Sequence, residues 1–202
     1  MFNTIISALK NNKLVCFPTE TVYALACNAT STKAINTVYR IKERPKSKPL
    51  SVFVQNIYAI TKIADLSKKE HIDLINHFSP GPVTYVLPIK KNTELLSTLF
   101  KASVGIRIPD HPIATSILNE IKFPIIATSI NISGGKSICK ISNIPKSIKK
   151  YLSVIIDDDN LVSGIESTVL DLTLENKINI LRQGAISKEV IENALSHFNI
   201  TY

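Results

Sequence analysis

Cysteine is scarce in this chain and does not pair. Cys16, Cys27 and Cys139 are odd in number and show no paired spacing, which excludes a disulfide framework and gives no zinc-ligand pattern. Cys16 sits inside an apolar run and reads as core packing. No apolar stretch approaches the ~20 residues needed to span a bilayer. Residues 1–10 lack a charged region followed by an adequate apolar core, so no secretory leader is expected. A reducing cytoplasm is the expected compartment, with no membrane attachment. Hydrolase signatures are missing too. None of His71, His77, His111 and His197 has a neighbouring nucleophile motif, and neither HExxH nor a paired-carboxylate array occurs. Gly134-Gly-Lys-Ser137 resembles a Walker-loop tail, but the glycine required five residues earlier is Ile130, which excludes a P-loop. Covalent catalysis and hydrolysis are thereby disfavoured, leaving chemistry by positioning and charge stabilisation.

What is present suits a folded α/β protein. At 202 residues and 45% hydrophobic, the chain can bury a full core, and one domain over 1–202 is expected. Charged residues at 20% argue against disorder. Twenty-four basic against sixteen acidic residues give +8, which favours anionic partners such as nucleotides or RNA, although most lysines belong to solvated surface.

Ile5, Ile6 and Leu9 mark a short first helix, and Leu14–Phe17 is a buried strand stopped by Pro18. Helical spacing of Ala34, Ile35, Val38 and Ile41 predicts a helix over 31–42, with Thr30 or Ser31 as N-cap. A strand at 51–54 and a helix at 67–78 follow, then strands at 83–87, 103–108, 124–129, 153–157, 168–172 and 178–182. Helices are expected at 112–121 and 187–198. Without strict alternation, these elements predict an α/β fold: a twisted mixed sheet with helices on its faces. No repeat or linker interrupts it, and the Lys- and Ser-rich segment 134–150 is the expected mobile loop and candidate lid.

Polar motifs gather where strands stop, the place where open α/β sheets bind ligands. Arg40, Lys42, Arg44, Lys46 and Lys48 recur at every second position, with Pro45 and Pro49 favouring an extended path. An extended path would aim Lys42 and Arg44 at one anion; a solvated basic turn is the other reading. In Thr19-Glu-Thr-Val-Tyr23, the hydroxyls either bond a ligand or cap the turn. Glu20 would orient Lys42 or Arg44, and Tyr23 is either a stacking platform or, preferably, a buried aromatic. Arg107 closes the strand 103–107 and suits a carboxylate partner, while His111-Pro112 reads as a helix start. Ser129 and Asn131 can face a ligand from a sharp turn, and Ser167 and Arg182, at opposite ends of a hairpin, either reach the same rim or are ordinary hairpin polar groups.

Taken in order, these motifs resemble the YrdC family over about residues 10–190. They are Pro18-Thr-Glu-Thr-Val-Tyr23, Lys42-Glu-Arg-Pro45, Pro80-Gly-Pro-Val-Thr84, Arg107-Ile-Pro-Asp-His-Pro112, Ser129-Ile-Asn131, Glu166-Ser-Thr168 and Arg182-Gln-Gly-Ala-Ile186. The resemblance implies a YrdC-like fold with a basic concave cavity, and no additional C-terminal domain. It implies threonylcarbamoyl-AMP synthesis from L-threonine, bicarbonate and ATP with Mg²⁺, releasing pyrophosphate, for N6-threonylcarbamoyladenosine at tRNA position 37. A downstream tRNA threonylcarbamoyl transferase machinery would take the product. By the same resemblance, Thr21, Arg107 and Ser167 would hold threonine. Lys42, Arg44, Ser103, Ser129, Asn131 and Arg182 would hold ATP, with Lys48 near the phosphates and Lys42 and Arg44 as the catalytic pair. This chain departs from the pattern at Ala24-Leu-Ala26, where Gly-Leu-Gly is usual, so a turn is expected there that avoids positive φ or tolerates alanine. It departs also at Lys48, Phe53 and Gln183, where relatives carry Asn, His and Pro. Two other readings are an RNA-binding module of the same fold without adenylating activity, and the carbamoyl-adenylate chemistry of hydrogenase-maturation relatives. The second would bring acylphosphatase and zinc-finger segments, and this sequence has none.

Overall fold

The computed structural model describes residues 2–91, 93, 100, 102–174 and 177–198. Strands β1 (Leu14–Phe17) and β2 (Ala24–Asn28) are buried along their whole length. Each is apolar on both sides because their sheet is covered on both faces. On one face Val15, Phe17, Ala24 and Ala26 pack with Ile5 and Leu9 of α1 (Phe2–Lys10) and with Ala114, Ile117 and Leu118 of α5 (Pro112–Glu120). On the other face Leu14, Cys16, Leu25 and Cys27 belong to a second core, to which α2 (Thr32–Ile41), α3 (Ile57–Ile63), α4 (Lys69–Phe78) and α7 (Lys188–His197) also contribute. The period-2 alternation therefore divides residues between two cores rather than between core and water.

Seven further strands complete the sheet: β3 (Ser51–Phe53), β4 (Val83–Pro88), β5 (Ser103–Arg107), β6 (Ile125–Ser129), β7 (Leu152–Ile155), β8 (Thr168–Asp171) and β9 (Asn179–Arg182). Their order is β7-β1-β2-β6-β3-β5-β4-β8-β9. The pairs β1/β7, β3/β5 and β4/β8 are parallel and the other five antiparallel, so the sheet is mixed as the sequence predicts.

The helix boundaries follow local chemistry. Ser31 caps α2 by accepting from Ala34 N at 3.3 Å, and Pro112 occupies the first turn of α5. His111 is structural, as expected: its Nδ1 accepts from Ile113 N at 3.2 Å. α3 escaped the sequence reading, although Asn56 gives a cap signal by accepting from Ala59 N at 2.9 Å.

Two expectations need correcting. Ala24-Leu-Ala26 forms no turn; it opens β2, paired with Phe17 on one side and Ser129 on the other. Alanine stands there because the strand lies between close-packed neighbours, so no positive φ arises. The segment 134–150 is not one free loop either. Ile138, Ile144 and Ile148 are buried, Ile138 O accepts from Tyr23 N at 2.9 Å, and a short helix, α6 (Lys146–Lys149), forms within it. Burying three isoleucines contributes several kcal/mol, at about 1.5–3 kcal/mol each. Of this segment, Gly134, Gly135 and Ser137 face the cavity described next.

Candidate active site

Along the face that carries α1 and α5, the side chains shrink toward the middle of the sheet. Ser51 lies opposite both Ala127 and Gly105, Gly105 opposite Val86, and Thr84 opposite Val169. Directly opposed residues share a face, so these small and hydroxyl side chains form one floor. Above it lies a cavity of about 990 Å³. All ten residues named from the sequence line it: Thr21, Lys42, Arg44, Lys48, Ser103, Arg107, Ser129, Asn131, Ser167 and Arg182. Sequence reasoning missed Gly105, Thr84, Ser137 and Glu166 on the same lining. The alternation of Ser51, Ser103, Gly105 and Thr84 on strands was the available signal, because small residues in a strand mark close approach of a ligand or backbone.

At one end stands Arg107, 4% exposed. Its Nε donates to Gly81 O at 3.2 Å and its Nη1 to Thr21 Oγ1 at 3.0 Å. Nη2 lies 2.7 Å from Glu20 Oε1, and the Phe53 ring centroid is 5.4 Å from the guanidinium carbon. Glu20 thus pairs with Arg107 and not with Lys42 or Arg44, because the 19–22 turn directs Glu20 and Thr21 to the same guanidinium. Thr19 closes that turn: its hydroxyl donates to Val22 O at 2.7 Å and accepts from Val22 N at 3.2 Å. Tyr23 is fully buried, its hydroxyl donating to Asp159 Oδ1 at 2.6 Å, so it offers no stacking surface.

Ser167 and Arg182 meet across the β8–β9 hairpin. Arg182 Nη2 donates to Ser167 O at 2.9 Å and to Ser167 Oγ at 3.2 Å, and Ser167 Oγ lies 2.9 Å from Thr84 Oγ1. Glu166 joins two sides of the cavity, accepting from Arg182 Nη1 and from the Ser137 hydroxyl. Gly184 lets the two strands close: a Cβ there would lie 2.2 Å from Glu166 O and 2.5 Å from Ser167 C. Gly184→Ala is therefore expected to destabilise the protein by about 1–3 kcal/mol through overpacking against backbone. Urea unfolding would register it as a lower midpoint with an unchanged slope.

Lys42 and Arg44 reach the cavity from a helix end, not from the extended strip that the prolines suggested. Lys42 caps α2 in the right-handed region, and Glu43 follows with φ +51°. Glu43 N donates to Arg40 O at 3.2 Å and Arg44 N to Tyr39 O at 2.9 Å, the bond pair of a Schellman cap. That cap turns the chain sharply, and Arg44 then donates to Lys48 O at 3.0 Å and Pro49 O at 2.7 Å. The Lys42 ammonium is 1% exposed and donates to Ser129 O, to Asn131 O at 2.6 Å and to Asn131 Oδ1 at 3.2 Å. These bonds use its three donors. In this geometry Lys42 fixes Ser129 and Asn131, whose side chains share a 2.6 Å hydrogen bond. Burial, with the Arg44 charge adding to it, pulls the Lys42 pKa down to about 8.

Among the described residues, Lys42, Arg44, Lys48, Arg107 and Arg182 are the cations on the lining, and Glu166 is its one carboxylate. Among the described residues, no group of three or more His, Cys, Asp or Glu is placed to hold a metal ion. Among them, too, no helix is long and apolar enough to cross a membrane.

A mixed α/β sheet of this kind is the architecture of a known family. The model for Sua5, YciO and YrdC proteins, described as "Telomere recombination", matches residues 7–184, and the chain belongs to that family. The threonylcarbamoyl-AMP synthase of Bacillus subtilis (strain 168) is 35% identical over 195 residues, covering 95% of this chain and 56% of the relative. A putative threonylcarbamoyl-AMP synthase of Methanocaldococcus jannaschii is 37% identical over 180 residues, with 87% and 82% covered. Among solved structures, P. abyssi Sua5 complexed with L-threonine is similar with a TM-score of 0.88 at 32% identity, over 99% of this chain and 58% of that one. The chain spans little more than half the length of the B. subtilis and P. abyssi relatives.

Proposed function

We propose that this chain makes L-threonylcarbamoyl-AMP and pyrophosphate from L-threonine, bicarbonate and ATP. One observation carries the reading: a single cavity brings a buried Arg107–Thr21–Ser167 end together with a Lys42–Arg44–Ser129–Asn131 end. The first end offers a guanidinium and hydroxyls to an amino-acid carboxylate. The second concentrates cations beside polar side chains, as a triphosphate requires. The relatives named threonylcarbamoyl-AMP synthase support it, and nothing among them favours the RNA-binding alternative.

In this mechanism the neutral threonine amine adds to the carbon of carbon dioxide formed from bicarbonate. The hydroxide lost by bicarbonate and the proton lost by the amine leave together as water, and a carbamate remains. A carbamate oxygen then attacks the α-phosphorus of ATP, and the bond to the β-phosphate oxygen breaks to release pyrophosphate. Arg107 fixes the threonine carboxylate with Thr21 and Ser167. Ser103, Ser129 and Asn131 hold the nucleotide, and Arg44, Lys48 and Arg182 lie against charge accumulating on the phosphates. Lys42 adds its buried positive charge. Mg²⁺ would enter with ATP and screen its phosphate charge. Glu166 is already engaged by Arg182 and Ser137, so the triphosphate oxygens, not protein carboxylates, would hold that ion. The product is labile in water and must pass to a tRNA-modifying transferase, which places the reaction with ATP and tRNA in the cytoplasm.

Pyrophosphate release from ATP and Mg²⁺ tests the reading. Release is expected only when L-threonine and bicarbonate are both supplied. Release with either omitted, or no release from the folded protein, would overturn it.

A further inference from the structure

We infer that Glu20 makes the Arg107 pocket select a zwitterion over a simple anion. The inference rests on the reading of Arg107 as the carboxylate anchor of an amino acid, and goes beyond it by naming the residue that sets the charge preference.

Glu20 has an unusual setting. Both its carboxylate oxygens are buried without a hydrogen-bond partner among the described residues, and so is Arg107 Nη2, which faces Glu20 Oε1 at 2.7 Å off the hydrogen-bonding line. The contact is an ion pair, so Glu20 serves Arg107 as charge more than as a geometric acceptor. Burial opposes the charge on Arg107, and the nearby Glu20 carboxylate does most to restore it. Other groups leave this balance intact. Arg182, which repels Arg107, is paired with Glu166. His111 lies within reach of the Glu20, Asp158 and Asp110 charges, yet burial holds its pKa below the ordinary value and keeps it neutral at pH 7. Local charge at the cavity end is therefore one guanidinium against one carboxylate.

A neutral ion pair treats two ligands differently. A carboxylate docked on Arg107 meets the attraction of the guanidinium and the repulsion of Glu20 together. An amino acid offsets that repulsion with its own ammonium, and a hydroxy acid of the same shape has nothing to offset it. Burying a repulsive charge behind an attractive one is a means of rejecting the wrong ligand rather than of tightening the right one. Glu20 itself is off the cavity lining, so it acts through Arg107 and through its field.

Titration calorimetry with L-threonine and with its deaminated counterpart, 2,3-dihydroxybutanoate, tests this on wild type, Glu20→Gln and Glu20→Asp. Wild type and Glu20→Asp are expected to prefer L-threonine. Glu20→Gln is expected to shift that preference toward the hydroxy acid by about tenfold, since removing one buried charge changes the balance by at least that factor, with ATP affinity unchanged. A folded Glu20→Gln protein with the wild-type ratio would reduce Glu20 to a structural partner. Equal affinity of wild type for the two ligands would overturn the inference without any variant. Wild type that binds neither ligand would instead remove the amino-acid reading of Arg107 beneath it.

Discussion

Gly105→Leu is expected to abolish pyrophosphate release, by about 10³-fold, while leaving the melting temperature at or above that of wild type. Gly105 lies mid-strand in the cavity floor, where a Cβ would sit 3.4 Å from Ser51 Oγ and 3.5 Å from Thr84 Cγ2. Those are ordinary contacts, so Gly105→Ala fits and should cost less than about tenfold in rate. A leucine has to send its remaining carbons upward into the space between the Arg107 and Lys42 ends. Displacing a bound reactant by about 1 Å already costs about 10²-fold. The sheet has no reason to object: β5 pairs on both sides through its backbone, and leucine has less conformational entropy to lose than glycine. Rates and melting curves on the two variants distinguish blockage from unfolding. Wild-type turnover in folded Gly105→Leu would mean that the reactants do not cross the floor of β5.

The same residue illustrates what the sequence does and does not disclose. Eight of the nine strands are readable from apolar runs with turn residues between them. β2 is not, because Ala24-Leu-Ala-Cys-Asn28 has no polar alternation and no β-branched residue. It divides its side chains between two cores, and a one-dimensional pattern cannot show that. The cavity residues are legible as types at strand ends, and all ten converge. Their partners are not legible. Thr21 and Arg107 are 86 residues apart, brought together by sheet order, so Glu20 could be assigned a cation only once β3, β5 and the 19–22 turn had been placed. Of the two readings of Lys42 and Arg44, the extended path fails, because Pro45 and Pro49 dominate the local signal there without setting the geometry of the helix end. The Schellman cap that governs them uses Glu43 in the left-handed region, where glycine is the usual marker.

That cap bears on the second large effect, which has two opposite signs in one pH window. Lys42 has an ordinary pKa of 10.5, and burial brings it to about 8 in the folded protein. Between those values the unfolded chain holds a proton that the folded one has released. Stability therefore rises as pH rises through the window, by up to about 3 kcal/mol at 1.36 kcal/mol per pH unit. Below pH 8 both states are protonated and the contribution is flat. Lys42→Met should erase this rise, so urea midpoints of wild type relative to Lys42→Met are expected to climb from pH 8 to 10.5. On the proposed reading, ATP binding goes the other way. Triphosphate favours the ammonium, so binding near pH 8 takes up a proton, and affinity falls above it. Calorimetry in buffers of different ionisation enthalpy measures that uptake directly. Lys42→Met should also lose turnover by about 10²–10³-fold, the usual range for removing a preorganised charge, because Ser129 O, Asn131 O and Asn131 Oδ1 lose their shared donor along with the charge. Stability that does not rise with pH would place the Lys42 charge in water. A rise in stability without proton uptake would keep Lys42 buried but separate it from the phosphates, leaving Arg44 and Arg182 to meet them.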